Sequence, residues 1–124
     1  MKQTFQAGRN IAMKVPPHEY EATLRFYREV LGLPELTPPQ PGHTPRFDFG
    51  GKTLWIDQVP GCSQAEIWLE VTHPNPAEAA AALEAAGVVR CDAIEPLPED
   101  FSGYWIASPS NIVHLVSARR EPAA

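Results

Sequence analysis

The chain reads as one supersecondary pattern written twice. Asn10 to Val15 alternates, with Ile11, Met13 and Val15 on one face, which is the period of a half-buried strand. Pro16-Pro17 ends it. A helix is predicted from Tyr20 to Leu31, where Leu24, Tyr27, Val30 and Leu31 recur at helical spacing between Arg25, Arg28 and Glu29. Gly32 suits a left-handed C-cap, and Pro34 prevents the helix from resuming. A Pro-rich loop runs to Gly42, with a short strand expected near Leu36. Arg46 to Phe49 and Thr53 to Val59 then form a predicted hairpin turned at Gly50-Gly51.

The order starts again at Glu66. Glu66 to Thr72 is a predicted strand, Asn75 an N-cap, and Pro76 the first helical residue. Ala77 to Ala86 is a helix closed by Gly87. A strand over Val88 to Ile94 follows, then a hairpin of Gly103 to Ala107 and Ile112 to Ser117 through Ser108-Pro109-Ser110-Asn111. The two strand starts, Asn10 and Glu66, lie 56 positions apart. A repeat of this period signals two copies of one unit, and one copy cannot cover its sheet alone. The expected fold is therefore α+β: two βαβββ modules, about 9–59 and 65–118, in one domain spanning 1–124. A small molecule held in a cavity between them is the expected business of the chain.

Composition removes several alternatives. The net charge is −5, and no Lys/Arg cluster exceeds Arg119-Arg120, so a nucleic-acid footprint is missing. The acidity would also suit a cationic ligand. No stretch approaches a signal peptide or a membrane span, and two cysteines make no disulfide framework. A cytoplasmic protein with free thiols at Cys62 and Cys91 is the default expectation. Neither thiol has an adjacent cation or helix N-terminus to favour a thiolate, so both read as inert. His18, His43 and His73 read as solvated loop residues. No Gly-rich phosphate loop, nucleophile elbow or CxxC pair is present.

Phe26-Tyr27-Arg28-Glu29-Val30-Leu31-Gly32-Leu33 at the first helix end, Ala81 to Val88 in the second half, and the Ser108-Pro109-Ser110-Asn111 turn carry a resemblance over Asn10 to Ser117. In this order and spacing the chain resembles the vicinal oxygen chelate superfamily of glyoxalases, bleomycin-resistance proteins and extradiol dioxygenases. The resemblance implies curved sheets around a cavity, often completed across a homodimer. It also implies a divalent metal held by four residues, usually His, Glu, His and Glu. Carried over by position, those fall at Asn10, at Trp55 or Asp57 depending on strand register, at Glu66 and at His114.

Glu66 and His114 are the chemically able pair. With Asp57 they could hold manganese, iron, nickel or zinc, although the usual ligand pattern is broken. Without metal, a carboxylate beside an imidazole makes a general acid/base. Alternatively they form a polar pair that recognises a ligand group, and a partner for Glu66 is expected in every case. Trp55, Trp68 and Trp105 lie on predicted strands, where flat amphipathic rings line pockets or fill the core. The two functional readings are metal-free sequestration of an aromatic or cationic compound, with Asn10 and the tryptophans as ligand-binding residues, and a glyoxalase-type lyase, isomerase or dioxygenase working through Glu66 and His114.

Overall fold

The computed structural model describes residues 4–36 and 42–118. Its strands are β1 (Gln6–Ala7), β2 (Asn10–Val15), β3 (Arg46–Phe49), β4 (Lys52–Gln58), β5 (Glu66–His73), β6 (Val89–Arg90), β7 (Gly103–Ala107) and β8 (Val113–Ala118). Two helices, α1 (Pro17–Arg25) and α2 (Pro76–Ala85), follow β2 and β5. The expected α+β architecture is present. The chain forms two compact units: residues 9–68, and residues 69–124 together with 1–8.

In the 9–68 unit, β2 pairs in parallel with β4, which pairs antiparallel with β3. The first three residues of β5 pair antiparallel with the other side of β2. Because β2 alternates, one of its faces can be wholly apolar. Val15, Leu24, Phe47, Leu54 and Ile56 form the buried cluster on that face, with Ile11, Met13, Tyr20, Tyr27 and Leu33 packed against it. Tyr20 and Leu24 come from α1 and Tyr27 from the turn that follows it, so this segment covers the face.

Helix α1 begins at Pro17, earlier than the apolar spacing suggests. Pro16 is extended and Pro17 takes the first helical turn, where proline's fixed φ is preorganised and its missing N–H costs nothing. Phe26–Val30 then widens into a π-helical turn, with the Leu31 N–H donating to the Phe26 carbonyl at 2.8 Å. Gly32, at φ 65°, closes it. The strand expected near Leu36 is reduced to a single bridge between Glu35 and Phe47. The prolines at 38, 39 and 41 lie outside the described residues.

In the other unit the later part of β5 pairs in parallel with β8 and antiparallel with β1; β8 pairs with β7, and β7 with β6. The Asn75 side chain accepts from the Glu78 N–H at 3.1 Å, and Pro76 opens α2 as expected. The Tyr104 hydroxyl donates to the Pro76 carbonyl at 2.8 Å and holds the helix start against β7. The strand expected over Val88 to Ile94 stops at Arg90. The Asp92 carboxylate takes the Trp105 backbone N–H at 3.1 Å and turns the chain into a short 3₁₀ helix over Asp92–Ile94. A short acidic side chain competing with the ladder for a backbone donor is a regular cause of such breaks.

Candidate ligand-binding site

The face of β2 turned away from α1 carries the polar chemistry of the 9–68 unit. Side chains paired in register across neighbouring strands point to the same face, so the pairings define rows. One row runs Arg46, Trp55, Ala12, Trp68 across β3, β4, β2 and β5. The adjacent row runs Asp57, Lys14, Glu66. Asn10 stands beyond Ala12 on the same face. The register question for β4 is thus answered: Trp55 and Asp57 both stand on the face of Asn10 and Lys14, while Leu54 and Ile56 enter the apolar cluster.

Lys14 is the residue that sequence reading missed. It is only 5% exposed. Its ammonium donates to Asp57 Oδ2 at 2.7 Å and lies 4.2 Å from the Trp68 ring centroid. A buried ammonium needs an opposite charge within contact, and Asp57 supplies it; the indole face adds cation–π attraction. Arg46 lies over the Trp55 ring at 5.2 Å in the same manner.

The other predicted donors are also engaged. The Trp55 indole N–H donates to Asn10 Oδ1 at 2.8 Å, and that of Trp68 to Glu66 Oε2 at 3.2 Å. The expected partner for Glu66 is therefore Trp68, and Glu66 itself stands exposed at the start of β5. His114 belongs to the other unit. It pairs with Leu69 on one side and Ile106 on the other, and its Nδ1 lies 2.9 Å from the Ile112 carbonyl. A carbonyl can only accept, so Nδ1 carries the proton in that bond. On the opposite face of β8, Ser117 donates to Glu70 Oε2 at 3.1 Å, a polar pair not singled out from sequence. Trp105 is buried; its indole N–H donates to the Glu95 carbonyl at 3.0 Å and its backbone N–H to Asp92.

His18 and His43 are exposed as expected, but His18 stands in the first turn of α1 and not in a loop, because the helix starts at Pro17. His73 is not exposed: it ends β5 and is buried, with its ring centroid 5.0 Å from that of Phe5 and its Nδ1 accepting from the Asn75 N–H at 3.0 Å. The strand runs one residue further than expected and carries His73 into the interior at its end. Burial raises the Cys91 thiol above its ordinary range, with Asp92 adding to the shift and Arg90 opposing it. A groove of about 450 Å³ also runs along α1, lined by Glu21, Ala22, Leu24, Arg25, Arg28 and Glu29. It collects helix-surface charges and none of the residues above.

With this geometry in place, comparison with known proteins decides the family. Residues 11–110 match the glyoxalase-like domain. The chain belongs to that family. No curated protein matches it significantly. Among solved structures, the glyoxalase-like chain is similar to the Mn(II)-bound glyoxalase of Novosphingobium aromaticivorans, with 17% identity and a TM-score of 0.64 over 99% of this chain. It is similar to a hypothetical protein of Bacillus halodurans C-125, with 13% identity and a TM-score of 0.64 over 98% of this chain and 99% of that one. Homoprotocatechuate 2,3-dioxygenase of Arthrobacter globiformis matches at 17% identity and a TM-score of 0.60 over 98% of this chain. The chain spans 44% of the glyoxalase and 38% of the dioxygenase. These likenesses establish the vicinal oxygen chelate fold.

Among the described residues, the donor set around Asp57 does not fit a resident divalent ion. Among the described residues no three His, Cys, Asp or Glu side chains are grouped to hold one. Asp57 is neutralised by a buried ammonium, and a cation brought to it would meet that charge at close range.

Proposed function

We propose that this glyoxalase-like domain binds a small planar molecule without a metal ion and sequesters it. The observation that carries this reading is the Lys14–Asp57 ion pair, which commits the best-placed carboxylate of the 9–68 unit to a protein cation. The same face carries Ala12 with Trp55 and Trp68 on the flanking strands; Trp68 is buried with Lys14 over its ring, and Trp55 is the more accessible indole. Flat aromatic walls of this kind favour planar ligands. Arg46 over Trp55 and Lys14 over Trp68 oppose a cationic guest, so a neutral or anionic aromatic compound fits better than the cationic one that net charge alone suggests. Trp105, buried and engaged within its own unit, is left out of this reading.

Elemental analysis of protein purified without chelator, joined to fluorescence titration with planar metabolites, tests the proposal. The expected result is no stoichiometric manganese, iron, nickel or zinc, and saturable quenching that Trp55→Leu abolishes. Stoichiometric metal that disappears in His114→Ala sinks it, as does the absence of quenching by every compound.

One observation favours a second reading, an acid/base enzyme of the lyase or isomerase kind. The Ile112 carbonyl holds the His114 ring through Nδ1 and leaves Nε2 outside that bond, as the atom a general base would use. Turnover with a single ionisation that His114→Gln removes would support it over sequestration.

A further inference from the structure

We infer that Lys14 is the specificity-determining residue that makes this face refuse divalent cations. The inference rests on the metal-free reading above and gives its cause. Lys14 is the middle member of a three-strand row, with Asp57 in register on β4 and Glu66 in register on β5. The two carboxylates stand on strands about 9–10 Å apart, twice the usual strand spacing, with the lysine rising between them. Each can lean inward over the central strand. The ammonium is nearly inaccessible and already in contact with Asp57, so an ion shared by both carboxylates would have to come close to it.

The charge arithmetic is simple. The row holds two negative charges and one fixed positive charge. A divalent ion entering it would gain the carboxylates but face the ammonium at contact distance. At about 4 Å this repulsion, doubled by the ion's charge, weakens binding roughly thirtyfold even in the dielectric of bulk water, and more in a shielded site. Replacing the ammonium by a neutral group of similar length removes the repulsion. It leaves two carboxylates that a hard, oxygen-seeking ion can bridge. The sequence therefore encodes its own counter-ion: the positive charge is covalently fixed, cannot dissociate, and needs no loading.

The test uses Mn(II), read by the loss of the free-ion paramagnetic resonance signal and by quenching of indole fluorescence. Wild-type protein is expected to leave the Mn(II) signal and the fluorescence unchanged. Lys14→Gln, which can still hydrogen-bond Asp57, is expected to gain at least roughly thirtyfold in Mn(II) affinity. Lys14→Met, an apolar near-isostere, serves as a second neutral variant, and circular dichroism confirms folding of each. Lys14→Arg keeps the charge and is expected to behave as wild type. Adding Asp57→Asn to the neutral variant is expected to abolish the gain. A folded neutral variant with no gain overturns this inference while leaving metal-free binding intact. Mn(II) bound tightly by the wild-type protein overturns both.

Discussion

Removal of the Lys14 charge has a calculable effect on stability. Breaking a buried ion pair from one side costs about 3–5 kcal/mol, because the remaining charge stays where water cannot reach it. Here the Asp57 side chain is 24% exposed, against 6% for Lys14, so Asp57 regains part of its hydration. The cost therefore falls at or just below the low end of that range, about 2–3 kcal/mol for Lys14→Met. With an unfolding entropy of about 2.1 cal/mol/K per residue over 124 residues, this corresponds to a Tm lower by about 8–12 °C. Lys14→Met/Asp57→Leu removes both charges and should recover most of the loss, giving a coupling of about 2 kcal/mol in a double-mutant cycle. Urea titrations followed by indole fluorescence and far-ultraviolet circular dichroism measure all four corners. The effect should persist in high salt, since a shielded pair is screened little. A single variant within about 0.5 kcal/mol of wild type, or strictly additive singles, refutes the reasoning.

Two further outcomes follow from local geometry. A methyl group at Gly103 would stand 2.6 Å from the Val116 carbonyl and 2.6 Å from the Phe101 ring, so Gly103→Ala should cost about 1–3 kcal/mol in the same urea assay, and no loss would show that β7 can shift. Alkylation of Cys91 by iodoacetamide, followed by peptide mass spectrometry, should be slower than for a free thiol at pH 8, with its rise displaced to more alkaline pH. The sign carries to stability. The folded value lies above the ordinary thiol value of 9.0, so this contribution is intact below 9.0 and is lost as pH rises through the raised one.

The order of elements was largely legible because period and punctuation agree. Ile11, Met13 and Val15 announce β2, and Asn75-Pro76 announces α2, through local rules that survive tertiary packing. The site was legible only in part. Asn10, Trp55, Asp57, Glu66 and Trp68 share a face of one unit through a pairing register that alternation within each strand does not fix. Lys14 escaped notice because a lysine on the polar side of an alternating strand reads as solvated. Only the knowledge that β2 lies between β4 and β5 buries it, and strand neighbours are not written in alternation. The π-helical turn escaped for a related reason: Phe26 to Val30 are ordinary helix-forming residues, and the widening appears in hydrogen bonding, not in composition. His73 was misread as a loop histidine because one extra residue of β5 turned it from solvent to interior.

The partition of the chain bears on the order of its assembly. The 9–68 unit is continuous, and every strand it pairs is present once residue 68 has been made. The other unit must wait for β8, and it must also take back Gln6–Ala7, which pair with Thr72 and Val71 more than sixty positions later. During synthesis the 9–68 unit can thus mature while Gln6 and Ala7 still wait for Thr72 and Val71. Loop-closure entropy makes that late pairing the slower one. Pulse-labelling hydrogen exchange should find the amides of β2 and β4 protected before those of β1 and β8.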